Sequence, residues 1–188
     1  NIHESICNIY KWNPLSNNWV ENNFNIDTIT NIDKQFSIAV NYLGNVIAIG
    51  TNDYGVRIYI FNNSKWVITG NIKLRDFNDN PPNISLNRIG NILAIGSPIN
   101  NNNNNISQVV VYKYENNNWK KHGNEIDTRN GGGSSISLSD DGSILLIRAL
   151  DNENKNSIRK YVWNNSKWIN EGHDIIGFYE NKNFGNSI

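Results

Sequence analysis

Methionine is absent from the 188 residues, cysteine occurs once and proline four times. The single Cys7 excludes an internal disulfide framework, so thiol usage indicates neither an oxidising nor a reducing compartment. No apolar run approaches the roughly 20 residues that a membrane helix needs, and no membrane span is expected. The opening Asn1-Ile2-His3-Glu4 lacks the basic and apolar regions of a signal peptide. It also lacks an initiator Met, from which processing or truncation is expected. Charge of one sign is missing too: 17 basic and 17 acidic residues cancel, leaving no field for nucleic acid, which is not expected as a partner.

What is present is aromatic and repetitive. Six Trp, eight Tyr and six Phe supply bulky core material. Asn is the commonest residue, in a manner that resembles codon drift in an AT-rich genome. Self-similarity at a fixed period marks an array of supersecondary units, and Trp19, Trp66, Trp119 and Trp168 recur at spacings of 47, 53 and 49 residues. An Asn-rich turn precedes each: Asn17-Asn18, Asn62-Asn63-Ser64, Asn116-Asn117-Asn118 and Asn164-Asn165-Ser166. Tyr10, Tyr59, Tyr112 and Tyr161 lie upstream, the last three at a constant spacing of seven, which implies a constant strand register.

Between these hairpins fall the segments 40–50, 86–96 and 138–148. Each reads as a short strand, a tight turn carrying Gly44, Gly90 or Gly142, and an apolar run such as Ile92-Leu93-Ala94-Ile95-Gly96. The Asp141-Gly142 pair predicts a type I′ turn, whose two central residues need positive φ. Val46-Ile47-Ala48-Ile49 and Ile144-Leu145-Leu146-Ile147 do not alternate, as expected of a strand covered on both faces. The strand that begins at each repeated Trp is more polar and reads as an outer edge. No window shows helical spacing with caps.

Four-stranded antiparallel units of roughly 40–50 residues predict an all-β fold, a β-propeller of four-stranded blades. Residues 1–33 read as the third and fourth strands of one blade, residues 34–76, 77–129 and 130–182 as complete blades, and residues 183–188 as the start of another. About three and a half blades are present, and the expectation is a part of a larger propeller.

The closing Asn183-Phe184-Gly185-Asn186-Ser187-Ile188, the Leu-Ala-Ile-Gly-Ser-Pro at 93–98, the Val-Tyr at 111–112 and the Trp-x-x-x-Gly at 119–123 together resemble the FG-GAP, integrin-α-like propeller repeat. The resemblance covers essentially the whole chain in degenerate form. The Phe-Gly pair survives at Phe184-Gly185, Gly133 keeps its glycine, and Gln35 and Pro81 stand at the other equivalent places. The family implies a binding or adhesion role, often extracellular, and the location expected is extracellular, cell-surface or virion. In that family some blades carry a calcium loop. The turns 41–45, 87–91 and 139–143 lack its alternating acids, and Asp76, Asn78 and Asn80 alternate but lead into Pro81 where a Gly is required. No metal and no cofactor is expected.

The other chemical candidates are sparse. His3, His122 and His173 have no HExxH or Cys/His partner, and a general base needs an organised partner. Ser139-Asp140-Asp141-Gly142 approaches a sialidase-type turn with the wrong spacing and no following Trp. Gly131-Gly132-Gly133 precedes a strand, unlike a phosphate loop, which opens a helix. The repeated tryptophans fit packing between blades better than stacking on sugars. Asn62, Asn83, Asn105 and Asn164 head nominal glycosylation sequons in so Asn-rich a chain. The Asn100–Asn105 run, between a second and a third strand, reads equally as a variable binding loop and as a tolerated low-complexity insertion.

The expectation is therefore no enzyme and no catalytic residues, but a non-catalytic interaction or adhesion scaffold with a protein or glycan partner. Two alternatives remain open: a structural component of a larger assembly such as a virion or surface layer, contacting neighbouring subunits, and part of an enzyme whose active site lies in absent blades.

Overall fold

The computed structural model of the chain describes residues 4–30, 36–51, 55–73, 81–97, 107–128, 132–151, 153, 155–177 and 183–188, with side chains throughout except at 4–8 and 22–30. The described residues form strands and turns only, and no helix of the chain is long and apolar enough to cross a membrane. Strands β1 (Glu4–Asn13) and β2 (Asn18–Thr30) pair as a hairpin. Three antiparallel sheets follow. The first takes β3 (Phe36–Val40), β4 (Val46–Thr51), β5 (Gly55–Asn62) and β6 (Lys65–Ile72) in chain order. The second takes β7 (Asn83–Leu86), β8 (Ile92–Ser97), β9 (Gln108–Glu115) and β10 (Asn118–Lys121), with β11 (Ile126–Asp127) also on β9. The third takes β12 (Ile136–Leu138), β13 (Ile144–Leu150), β14 (Asn156–Trp163) and β15 (Trp168–Asn170), with β16 (Ile175–Ile176) also on β14. The chain has a β-propeller fold, and the three sheets are successive blades with β3, β7 and β12 innermost and adjacent.

A blade has no core of its own; the core lies between blades. Side chains alternate across a strand. Val46 and Ala48 of β4 therefore join Leu93, Ile95, Val110, Tyr112 and Trp119 of the second blade, while Ile47 and Ile49 face the other way, onto Ile9 of the hairpin. One blade on, Ile92 and Ala94 meet Ile136, Leu145, Ile147 and Trp168. β4 and β8 are consequently buried at every residue, as their unbroken apolar runs predict. β13 alternates between buried and half-buried positions instead.

The tryptophans fix how blades stack. Trp119 lies against Gly70 of the preceding blade, where a Cβ would come within 2.7 Å of the indole Cδ1. Trp168 lies at Gly123 together with Trp163, a Cβ there falling 3.2 Å from Trp168 Cδ1 and 2.5 Å from Trp163 Cζ3; the Trp168 indole N–H donates to His122 O at 2.9 Å and its backbone N–H to Asn124 Oδ1 at 2.8 Å. Each Trp also meets an aromatic across its own hairpin: Trp12–Trp19, Phe61–Trp66, Tyr114–Trp119 and Trp163–Trp168, with ring centroids 5.3–5.6 Å apart.

Two expectations need correction. The fourth strand is not one strand in the last two blades. It breaks around Gly123 (φ 88°) and Gly172 (φ 84°), giving β10 and β11, then β15 and β16. The break retracts the backbone where the tryptophan of the next blade must enter. Nor is the turn at Asp141-Gly142 type I′. Only Gly142 (φ 75°) has positive φ there, as do Gly44 and Gly90 in their own turns. The left-handed pairs are Asn63-Ser64 and Asn116-Asn117, which close two-residue hairpins between Asn62 and Lys65 and between Glu115 and Asn118. In the first-to-second-strand turns a side chain replaces the missing backbone partner. Asn41 Oδ1 accepts from Asn45 N and Val46 N, Asn87 Oδ1 from Asn91 N and Ile92 N, and Ser139 Oγ from Ile144 N.

Two glycines with positive φ lie at corresponding places over successive blades. Gly133 (φ 79°) lies over Gly96 and Val109, which pair across β8 and β9, and its N–H donates to Arg148 O at 2.8 Å. Gly185 (φ 75°) lies over Arg148 and Ile158, which pair across β13 and β14 at the corresponding place.

Gly123→Ala places a Cβ 2.5 Å from Trp163 Cζ3 in a left-handed backbone. It should cost roughly 2–4 kcal/mol, overpacking and backbone strain together. Gly172→Ala meets nothing within 4 Å and should cost only about 1–2 kcal/mol. Urea denaturation of the two variants measures the difference. His122 stacks on Trp163 with centroids 3.8 Å apart, and burial, then Lys113, holds its pKa below the ordinary value. The fold therefore keeps it neutral while the unfolded chain takes up a proton below pH about 6.5. Stability should fall as pH drops through that value and level off below the folded pKa, and His122→Phe should remove this part of the slope in a melting-temperature profile.

Candidate functional site

Two groupings of polar side chains stand out, at opposite ends of the blades. The first sits on the first-to-second-strand turns, where Tyr42, Arg88 and Asp140 occupy the same place in three successive blades. Their backbones form a relay across the blades, Tyr42 N donating to Arg88 O at 3.1 Å and Arg88 N to Asp140 O at 3.0 Å. The side chains repeat it: the Arg88 guanidinium lies 3.8 Å above the Tyr42 ring and bonds Asp140 Oδ2 at 3.0 Å. All three are exposed, so the ion pair adds little stability. Beside them Asp141 accepts from Ser139 Oγ, Ser143 N and Ser143 Oγ, which lowers its pKa to about 2. Its carboxylate serves the turn.

The second grouping lies at the other end of the third blade, where second and third strands connect. Arg148 takes the place that Gly50 and Gly96 hold in the two earlier blades, each paired to the third strand at the same register. Its stem runs beneath Gly185, and its guanidinium donates to Ser134 Oγ at 2.9 Å and Asn156 Oδ1 at 3.0 Å. On the opposite face of the same sheet, Arg159 pairs with Asp174 at 2.8 Å and donates to Leu150 O at 2.7 Å. This pair is largely buried, with side chains 13% and 23% exposed, and Ser157 Oγ lies 3.4 Å from the same Asp174 oxygen. Tyr161, on the same face as Arg159, has its phenol pKa raised by burial, against the pull of Arg159.

The sequence candidates are dispersed. His122 is a stacking partner of Trp163 and Trp168, and His173 is exposed after the Gly172 break. His3, Asp76, Asn78, Asn80, Asn100–Asn105 and Gly131 lie outside the described residues. Gly132 and Gly133 form the turn into β12. Asn164 closes its own turn by accepting from Ser166 N and Lys167 N. Among the described residues no three His, Cys, Asp or Glu come together to hold a metal. Trp12 lines a shallow cleft with Lys11, Asn13, Pro14, Val20 and Glu21 on the first hairpin. Arg148, Arg159 and Asp174 were not singled out by the sequence, although Arg148 was visible as an arginine in the slot of Gly50 and Gly96.

No family model and no curated protein matches the chain by sequence. Solved structures do match by fold. A candidate 6-phosphogluconolactonase from Bacteroides uniformis aligns at TM-score 0.59 and 12% identity over 92% of this chain and 52% of its own. A second, from Bacteroides fragilis, aligns at 0.56 and 13% over 89% and 51%. Saccharomyces cerevisiae Sqt1 aligns at 0.52 and 12% over 76% and 35%. At such identity the likeness establishes the fold, and the chain spans about half the length of these proteins or less. The expectation of a non-catalytic interaction or adhesion scaffold is contradicted in that two of these neighbours are themselves candidate lactonases.

Proposed function

We propose that the chain is an arc of a propeller enzyme acting on a small polar substrate of the sugar-lactone class, at the end of the blades where second and third strands connect. The observation that carries this reading is Arg148. Contacts that serve only to stack blades recur in every blade, as the tryptophans do. A departure from the repeat that places a half-buried cation where two other blades hold glycine asks for another purpose. Burying even part of a guanidinium is costly unless its donors are engaged, and here they orient Ser134 and Asn156 toward the same end. An arginine fork in that setting suits the carboxylate or phosphate of an oxidised sugar. The names of the two candidate 6-phosphogluconolactonases supply the reaction class, hydrolysis of a cyclic ester. The register of Gly133 and Gly185 also supports the FG-GAP-like alignment of the repeats.

The native protein carrying this chain should accelerate opening of 6-phosphogluconolactone above its spontaneous rate in a pH-stat assay. Arg148→Lys should raise KM at least tenfold, and Arg148→Met by more, while both variants keep the parent's β-sheet circular dichroism. Spontaneous rates with both the phosphorylated and the unphosphorylated lactone would overturn the reading.

A further inference from the structure

Of the Asn-x-Ser sequons in the chain, those at Asn62, Asn83 and Asn164 fall on described residues, and the fold separates them. Asn62-Asn63-Ser64-Lys65-Trp66 and Asn164-Asn165-Ser166-Lys167-Trp168 are the same pentapeptide. Each sits at the tip of a third-to-fourth-strand hairpin, in the first and third blades, with its Asn, Asn, Ser and Lys exposed. That exposure belongs to the position. The second blade has a neighbour on each side, and its own tip, residues 115–118, is exposed throughout. Asn83, by contrast, is half-buried in the innermost strand β7 opposite Gly96, and the hydroxyl of its sequon, Ser85 Oγ, accepts from Leu138 N of the next blade at 3.0 Å.

The serine of the first tip stands against the preference of its backbone. Ser64 has φ 63°, and among the described non-glycine residues with positive φ every other one is asparagine. Asn117 takes the same place in the second blade at φ 62°. Asparagine visits this conformation readily and serine rarely, so a hairpin shaped by its turn alone would carry Asn-Asn in both blades. Serine at 64 weakens the turn and completes a sequon. At the tip of the third blade Asn164 Oδ1 accepts from Ser166 N at 3.2 Å, Ser166 Oγ at 3.1 Å and Lys167 N at 2.9 Å. All three bonds use the amide oxygen, so a substituent on Nδ2 leaves the turn closed.

We propose that Asn62 and Asn164 are N-glycosylation sites and that Asn83 is not. The amide Nδ2 forms a bond to the anomeric carbon of an oligosaccharide carried on a polyprenyl diphosphate. The anomeric C–O bond breaks, the diphosphate leaves with its electron pair, and the amide gives up one proton to the transferase; nothing is oxidised or reduced. The attached sugar is bulky and has to stand in solvent. Both tips lie at the outer corner of a blade, at the end opposite the second-to-third-strand connections, so the sugars clear the stacked faces and leave that other end open. The proposal commits the chain to a route on which lipid-linked oligosaccharide is met, and it takes nothing from the lactonase reading.

The test is peptide mass spectrometry of the native protein after peptide-N-glycosidase treatment in heavy-oxygen water, which turns each glycosylated Asn into labelled Asp, read against a digest without the glycosidase. Label should appear at Asn62 and Asn164 and not at Asn83. Two variants made in secreting cells check the assignment. Ser64→Asn copies the turn of the second blade and Ser166→Ala keeps the backbone donor to Asn164, so each should keep the parent's circular dichroism and lose one glycan in its intact mass. Made without glycan, Ser64→Asn should melt no lower than the parent. Native protein without label at Asn62 and Asn164 overturns the proposal, as does label at Asn83. Label at only one of the two tips overturns the argument from their shared register, and a lower melting temperature for Ser64→Asn overturns the argument from backbone preference.

Discussion

A tryptophan of one blade seated on a glycine of the blade before it is the contact on which the architecture depends. A four-stranded sheet with apolar residues on both faces cannot bury either face by itself, and the alternation of Val46 and Ala48 against Ile47 and Ile49 gives each blade two neighbours to satisfy. Close packing of sheets then requires a local retreat of backbone wherever a large ring must enter. Gly70 and Gly123 supply the retreat, and the broken fourth strand around Gly123 is its visible consequence. Burial of an indole of roughly 200 Å² is worth on the order of 5 kcal/mol before entropy is counted, an upper bound. The backbone relay through Tyr42, Arg88 and Asp140 links the same blades through their first-to-second-strand turns.

Much of this fold is legible in the sequence because the repeat exposes it. The period of the tryptophans, the constant spacing from Tyr59, Tyr112 and Tyr161, and the uninterrupted runs at β4 and β8 each encode one strand and its neighbours. What is illegible depends on backbone geometry. Asp141-Gly142 looks like a hairpin pair, but the side chains of Asn41, Asn87 and Ser139 cap those turns from their first position, so a single left-handed glycine suffices. The left-handed pairs fall instead where the sequence shows only asparagine and serine. Five of the six described non-glycine residues with positive φ are asparagines, so part of the asparagine content that resembles codon drift has a conformational role.

The polar grouping of the third blade was harder to see for a different reason. Arg148, Arg159 and Asp174 are far apart in sequence terms that a motif would register, and only the strand register brings them to one end of one sheet. Arg148 is detectable as an exception to a rule, and the rule has to be known first: glycine at 50, glycine at 96, arginine at 148. The histidines fail the converse test. His122 stands beside a tryptophan because the glycine notch brings the two blades together, so its depressed pKa reflects packing and the charge of Lys113. That two of the fold neighbours are candidate lactonases shifts attention from the loops' length to the departures from the repeat.

Because every blade presents a tryptophan on one side and a glycine notch on the other, the contact is the same wherever it is made. Duplicating or deleting a gene segment that encodes one whole blade, from any starting point in the repeat, leaves each remaining ring with a notch of the right shape. Such a chain can change its number of blades in single steps, with no intermediate in which an interface has to be reinvented, while the strand-connecting loops at the far end diverge independently.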